Sequence, residues 1–369
     1  LSPFGLVPAA AAGLDLSKLL ENTLSMVRSS GPDVPPSENP GVQLGLAMGH
    51  AGVNGRDKVT ILSSKTIADF GAWAEQLIAE STGKNGKGLI PVDGETIADP
   101  ARYGGDRFFI DLRTESENDS KHAAALTALE KAGHPVVRIV LKSPSHIGQE
   151  FFRWEMATAV AGAVLGINPF NQPDVEAAKV KTRELTSAFE KSGALPAEMP
   201  VISDDAFEIF TDTKNAEALR KGGAKNDLVS WLKAHFARVG SGDYVATLAY
   251  IERNAAHQRV LQGIRLPIRD GLHVATCVGF GPRFLHSTGQ AYKGGPDSGV
   301  FLQITTQDAK DLAVPGQKAS FGTIKAAQAR GDFDVLTERG RRALRVHIKG
   351  DLEQGLAGLA KAISVALGR

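Results

Sequence analysis

Apolar side chains along this chain follow two spacings, and the changes between them mark its elements. Residues 1–55 read as helices. Asp15 or Ser17 can cap a helix over 18–28, and the Pro-rich stretch 31–40 breaks the pattern. Strand-like and helix-like runs then alternate. Residues 58–63 form a short β-branched run, and 67–80 form a long helical pattern holding Phe70, Trp73, Leu77 and Ile78. Strands are predicted at 88–92, 107–112 and 136–141, and helices at 121–132 and 149–165. That order is the signature of a parallel sheet with helices on both faces.

A second α/β region follows. A helix is predicted over 216–238, strands over 244–251, 273–279, 299–305 and 343–348, and a closing helix over 352–367. Gly, Pro and small residues cluster at 193–200, which puts the expected division between domains 1–197 and 198–369. No short repeat or low-complexity tract is visible.

The 369 residues exceed the usual size of one domain, and 42% of them are apolar, enough for a sizeable core. A net charge of +1 argues against a dedicated nucleic-acid or membrane-surface binder. No apolar run approaches the ~20 residues that span a bilayer. The lone Cys277 has no disulfide partner in the chain, which fits a reducing cytoplasm. The chain starts at Leu1 in mid-pattern, with residues 6–20 already helix-like, so a longer protein is expected to extend upstream.

Three segments could carry chemistry. In the first, Gln76 and Glu80 lie four apart on one helix face, ahead of the Gly-rich turn 81–88. The negative end of the helix dipole disfavours ionisation of Glu80, which suits a general base, and backbone amides of Gly83 and its neighbours can approach a ligand. An exposed glutamate before an ordinary glycine cap gives the same spacing, and spacing alone favours that simpler reading. In the second, 166–179, Pro169 and Pro173 open a helix with Asp174 in its first turn. Gln172 and Lys179 are two turns apart and can point the same way, an amide and an ammonium suited to a phosphorylated sugar. A capped surface helix with a solvated lysine fits equally. The third, 279–296, is the densest cluster of Gly, hydroxyl, basic and His residues. Its His286 could shuttle protons, or could be a satisfied structural histidine in a tight turn.

The stretch 149–155 reads as core aromatics with an internal Arg153–Glu155 pair. No HxxxH or CxxC pattern occurs, so no zinc site is expected.

Taken together, these segments resemble the phosphoglucose isomerases. Residues 166–179 are similar to the family's second signature, with its NPFxQ…VExxK skeleton, departing from it at Pro173-Asp174. Residues 74–92, AEQLIAESTGKNGKGLIPV, resemble the segment holding the catalytic glutamate, with Gln76 and Glu80 on the matching positions. Residues 1–15 look like the part after the first signature. Residues 280–303 and 321–349 are similar to the bifunctional transaldolase/glucose-6-phosphate isomerases.

The resemblance implies a three-layer α/β sandwich of the sugar-isomerase type, mostly parallel, with a second C-terminal α/β region. It implies glucose-6-phosphate isomerisation through a cis-enediol, with Glu80 as base. Lys179 would aid ring opening and steady developing oxygen charge. Gln172 would lie near the phosphate, with Gln76, Gly83 and Lys84 also at the substrate. His286 stands in for the ring-opening histidine by local similarity. A sugar-phosphate substrate is implied, with no metal or organic cofactor. The family's main phosphate loop, in its first SIS domain, and its enediolate arginine, in its first signature, would lie before Leu1, and a transaldolase domain would be a separate barrel further upstream. Ser63-Ser64-Lys65-Thr66 is out of order to be that loop. Oligomerisation and the choice between glucose and mannose phosphates stay open. The other function class is a non-catalytic sugar-phosphate regulator, which would need no base.

Overall fold

A computed structural model describes residues 1–117 and 119–369. The chain packs as two compact units, one of Leu1–Pro100 and Gly105–Asn171, the other of Ala101–Gly104 and Gln172–Arg369.

The first unit opens with helices α1 (Pro3–Ala11), α2 (Leu16–Ser29) and α3 (Pro40–Val53). Asp15 caps α2 by accepting from the Lys18 amide, and Asn39 caps α3 just ahead of Pro40. Next come β1 (Lys58–Ser63), α4 (Asp69–Thr82), β2 (Ile90–Val92), β3 (Arg107–Thr114), α5 (Ser120–Lys131), β4 (Val136–Leu141) and α6 (Ile147–Leu165). The strands form a parallel sheet in the order β2-β1-β3-β4. Val59, Ile61, Ile110 and Leu112 pack with Met48, Ile78, Trp154 and Ala161 of α3, α4 and α6 in one core. Phe70, Trp73, Phe151 and Trp154 stack between α4 and α6, so Phe151 and Trp154 of 149–155 pack in this core while Phe152 is only partly buried. The ion pair expected there is different. Arg153 reaches Glu150 at 3.3 Å, one turn back. Helical geometry explains the correction, since i,i+3 side chains share a face and i,i+2 side chains do not.

The second unit runs α7 (Val175–Ser192), β5 (Ile202–Ser203), β6 (Phe207–Phe210), α8 (Thr213–Lys221), α9 (Leu228–Phe236), β7 (Tyr244–Tyr250), α10 (Ala255–Leu272), β8 (Ala275–Phe280), α11 (Gly289–Gly294), β9 (Gly299–Thr306), α12 (Phe321–Glu338), β10 (Arg342–Ile348) and α13 (Leu352–Ala366). Its sheet order is β5-β6-β10-β9-β7-β8. Strands β7 to β10 pair in parallel, and β6 joins β10 antiparallel. Strand alternation divides the side chains. Val300, Leu302, Ile304, Leu344, Val346 and Ile348 face an apolar core built with α9, α10 and α13. Gln303 and Arg345 face α12 instead, through a Gln303–Ala329 carbonyl hydrogen bond and the Phe333 ring. Helices therefore cover both faces, as the alternation of elements predicts.

Three local differences from the sequence reading stand out. The helix expected over 216–238 is two helices, α8 and α9, parted after Lys221 by Gly222 and by Gly223 at φ +99°. His273 is no strand residue: it ends α10 in the left-handed region at φ 57°. The β5–β6 edge was not anticipated. Packing divides the chain at Asn171/Gln172, while the Gly/Pro cluster suggested 197/198, because α7 packs on α12 inside the second unit.

Candidate active site

In the first unit, α4 ends in the turn that sequence analysis singled out. Gln76 is exposed and Glu80 half-buried, and the Gln76 amide donates to Glu80 Oε2 at 3.4 Å. The expected shared helix face is therefore present. Thr82 accepts from the Leu89 amide at 3.0 Å and donates to the Ile78 carbonyl at 2.7 Å, which ties the two ends of the turn together. Asn85 sits at φ 57° and Gly86 at φ 72°. Gly88, at φ 140°, approaches Gly83 so closely that a Cβ would lie 2.7 Å from its Cα.

The two lysines of this turn serve a neighbouring segment. The Lys84 side chain is 1% exposed, and its ammonium donates to the Asn171 carbonyl and, at 3.2 Å, to Asn171 Oδ1. Lys87 donates to the Leu165 carbonyl at 3.0 Å, capping α6, whose C-cap is Gly166 at φ 69°. The ESTGKNGKG turn and the NPFN loop, two separate signals in the sequence, thus lock together. Gly83, the C-cap of α4, is buried.

In the second unit, a cavity of about 230 Å³ is lined by Lys179 and Arg183 of α7, by His286, and by Lys293 of α11. The structure therefore brings Lys179 and His286, from distant motifs, to one site. Lys179 is 48% exposed and 3.8 Å from Glu176, and Arg183 holds Glu176 at 2.6 Å. The Arg183 hydrogen bond lowers the Glu176 carboxyl below its usual range. His286 is exposed. Lys293 is 3% exposed and paired with the buried Asp332. Four basic side chains around one cavity suit an anionic ligand. Gln172 is exposed at the start of the unit.

What holds α7 and α11 at this cavity is a buried clamp. Gln290 donates to Asp174 Oδ2 at 2.8 Å and accepts from the Asp174 amide at 3.1 Å. Arg339 reaches the other carboxylate oxygen at 2.7 Å. Asp174 is 6% exposed and Gln290 fully buried. A Cβ on Gly294 would lie 2.2 Å from Asp174 Oδ2, so this approach needs glycine. Sequence reasoning missed Arg183, Lys293 and Gln290. Arg183 had a signal, one turn after Lys179 on the same face. Lys293 and Gln290 lie in the singled-out segment 279–296, but nothing local marks their roles, because each is buried on a partner far along the chain, Asp332 for Lys293 and Asp174 for Gln290.

Among the described residues, no group of three or more His, Cys, Asp or Glu is placed to hold a metal ion, and no helix is long and apolar enough to cross a membrane.

No family model matches the chain. The chain is similar to proteins named glucose-6-phosphate isomerase. One, from Parabacteroides distasonis, is 29% identical over 217 residues, 48% of each chain. Another, from Rubrobacter xylanophilus, is 32% identical over 218 residues, 48% of this chain and 50% of the relative. A third, from Heliobacterium modesticaldum, is 28% identical over 54% of each. The chain spans about half the length of the curated relatives it matches. A solved glucose-6-phosphate isomerase from Chlamydia trachomatis aligns over 94% of this chain and 72% of its own, at 12% identity and a TM-score of 0.26, a likeness too loose to bear on fold or function.

Proposed function

We propose that this chain is the isomerase part of a glucose-6-phosphate isomerase, interconverting glucose 6-phosphate and fructose 6-phosphate. Proton transfer between C2 and C1 requires a positioned base and polar groups that accept the charge growing on the enediolate oxygens. Glu80 is the base in this reading, on a helix face it shares with Gln76. His286 and Lys179 serve ring opening and the developing oxygen charge. Gln172, Gly83 and Lys84 contribute to binding, Lys84 by fixing the loop at Asn171. The observation that carries the reading is the convergence of Lys179 and His286 on one basic cavity, in a chain similar to isomerases over about half their length.

The likeness of residues 280–303 to the fused enzymes supports placing the chain in a transaldolase fusion, with SIS and transaldolase domains upstream, in a reducing cytoplasm. The coding sequence ahead of Leu1 tests that directly.

The activity is tested by fructose 6-phosphate formation and by solvent hydrogen exchange at C2, using the full-length protein. Glu80→Gln is expected to lower both by roughly 100-fold or more while a sugar-phosphate titration still shows binding. Near-normal turnover in Glu80→Gln removes the base assignment. Binding by the unaltered protein with neither turnover nor exchange favours the non-catalytic regulator.

A further inference from the structure

In the second unit β7 comes first of the parallel strands, with β8 on one side of it and β9 on the other. Connections therefore leave β7 and β9 in opposite directions. In open α/β sheets a crevice forms beyond the carboxyl ends of the strands at such a switch point, and ligands bind there. A cavity of about 200 Å³ opens at this place. Tyr250 ends β7, Thr305 lies near the end of β9, and Arg345 and His347 come from β10, all among its lining residues.

Two features of this cavity call for a polar ligand. First, two guanidiniums converge on a single carboxylate oxygen. Arg345, 5% exposed, lies between the Phe210 and Phe333 rings at 4.3 and 5.1 Å, and its Nη2 donates to Glu198 Oε1 at 2.8 Å. The same Glu198 oxygen is 3.6 Å from Arg330 Nε, which is buried, makes no hydrogen bond and lies 3.9 Å from Asp334 Oδ2, while Arg330 Nη1 donates to the Pro196 carbonyl. Glu198 belongs to the irregular link between α7 and β5, so its carboxylate is supplied from a loop. Second, Tyr250 lines the cavity and is fully buried, yet its hydroxyl has no hydrogen-bond partner. A buried hydroxyl without a partner is costly unless a ligand engages it.

We propose that this cavity is a second small-molecule site, separate from the one holding Lys179 and His286, and that it takes a phosphorylated polyol. The phosphoryl group displaces the Glu198 carboxylate and engages both guanidinium forks with three oxygens where Glu198 offers one. The polyol hydroxyls meet Tyr250, Thr305 and the Glu208 carboxylate, which also lines the cavity. Occupancy frees the Glu198 link from Arg330 and Arg345.

Calorimetric titration of the intact chain with glycerol 3-phosphate, inorganic phosphate and glycerol tests this. Glycerol 3-phosphate is expected to bind most tightly, phosphate more weakly and glycerol undetectably. Arg345→Met should weaken glycerol 3-phosphate binding at least about tenfold, as should Arg330→Met if the first variant fails to fold. Glu198→Gln, which removes the internal competitor, should tighten binding by about threefold. Lys179→Met should leave this binding intact. The proposal is overturned by any of four results: no binding, binding unaffected by loss of either arginine, weakened or unchanged binding in Glu198→Gln, or loss of binding in Lys179→Met. Equal affinity for phosphate and glycerol 3-phosphate overturns the polyol assignment.

Discussion

Removing the Asp174 carboxylate is a sharp test of how the second unit holds its basic cavity together. Asp174→Ala deletes the acceptor of a fully buried Gln290 hydrogen bond and of an Arg339 ion pair. A buried hydrogen bond to a charged group contributes about 1.5–3 kcal/mol. Arg339 is 43% exposed, so solvent screening limits its pair to at most about 1 kcal/mol. The expected loss is therefore about 2–4 kcal/mol, or roughly 1 M in the urea midpoint. Two compact units need not unfold together, so the assay should combine urea unfolding with amide exchange on α7 and α11. A double-mutant cycle with Gln290→Ala isolates the clamp, and the expected coupling is at least about 1 kcal/mol. Asp174→Asn, which keeps one oxygen, should fall between the unaltered chain and Asp174→Ala. The reasoning fails if all variants fold and the coupling is below about 0.3 kcal/mol.

Other perturbations are equally specific. Burial, joined by Arg238, pushes His235 down to about 3, and its Nε2 lies 3.1 Å from the Phe301 carbonyl. The unfolded chain then binds a proton that the folded chain refuses between about pH 6.5 and 3, so stability should fall as pH drops through that window, at up to about 1.4 kcal/mol per unit. In His235→Gln, which keeps a donor for Phe301, this part of the slope should vanish in unfolding curves taken from pH 4 to 7; an unchanged slope assigns the titration elsewhere. Glu95→Ala strips the carboxylate, 2.7 Å away, from the fully buried Arg107 and should cost about 3–5 kcal/mol in thermal unfolding. A loss below about 1 kcal/mol would mean water reaches that guanidinium. Gly88→Ala, at φ 140° and against the Gly83 backbone, should lower stability by about 2 kcal/mol or more and reduce turnover with it. Native stability in that variant would show that the turn can relax.

The sequence by itself located most regular elements, because their signals are local. The β-branched runs at 58–63 and 244–251 and the helical spacing of Phe70, Trp73, Leu77 and Ile78 depend only on neighbours within a turn or a strand. It also showed that Gln76 and Glu80 share a face, a consequence of helical pitch alone. Resemblance, not periodicity, gave Lys179 and His286 roles in one reaction. Tertiary structure decided everything that depends on a distant partner. Lys84, which the resemblance puts at the substrate, is buried with its ammonium on Asn171. Asp174 looked like a helix-dipole residue and is instead gripped by Gln290 from 116 residues away. Arg345 and His347 read as ordinary alternating strand positions, yet their face of the sheet is a buried polar one because α12 covers it. The reason is the same each time. Local periodicity fixes which side of an element a residue occupies, but only packing determines what waits on that side, and burial there changes the energy of a charge by more than any local preference does.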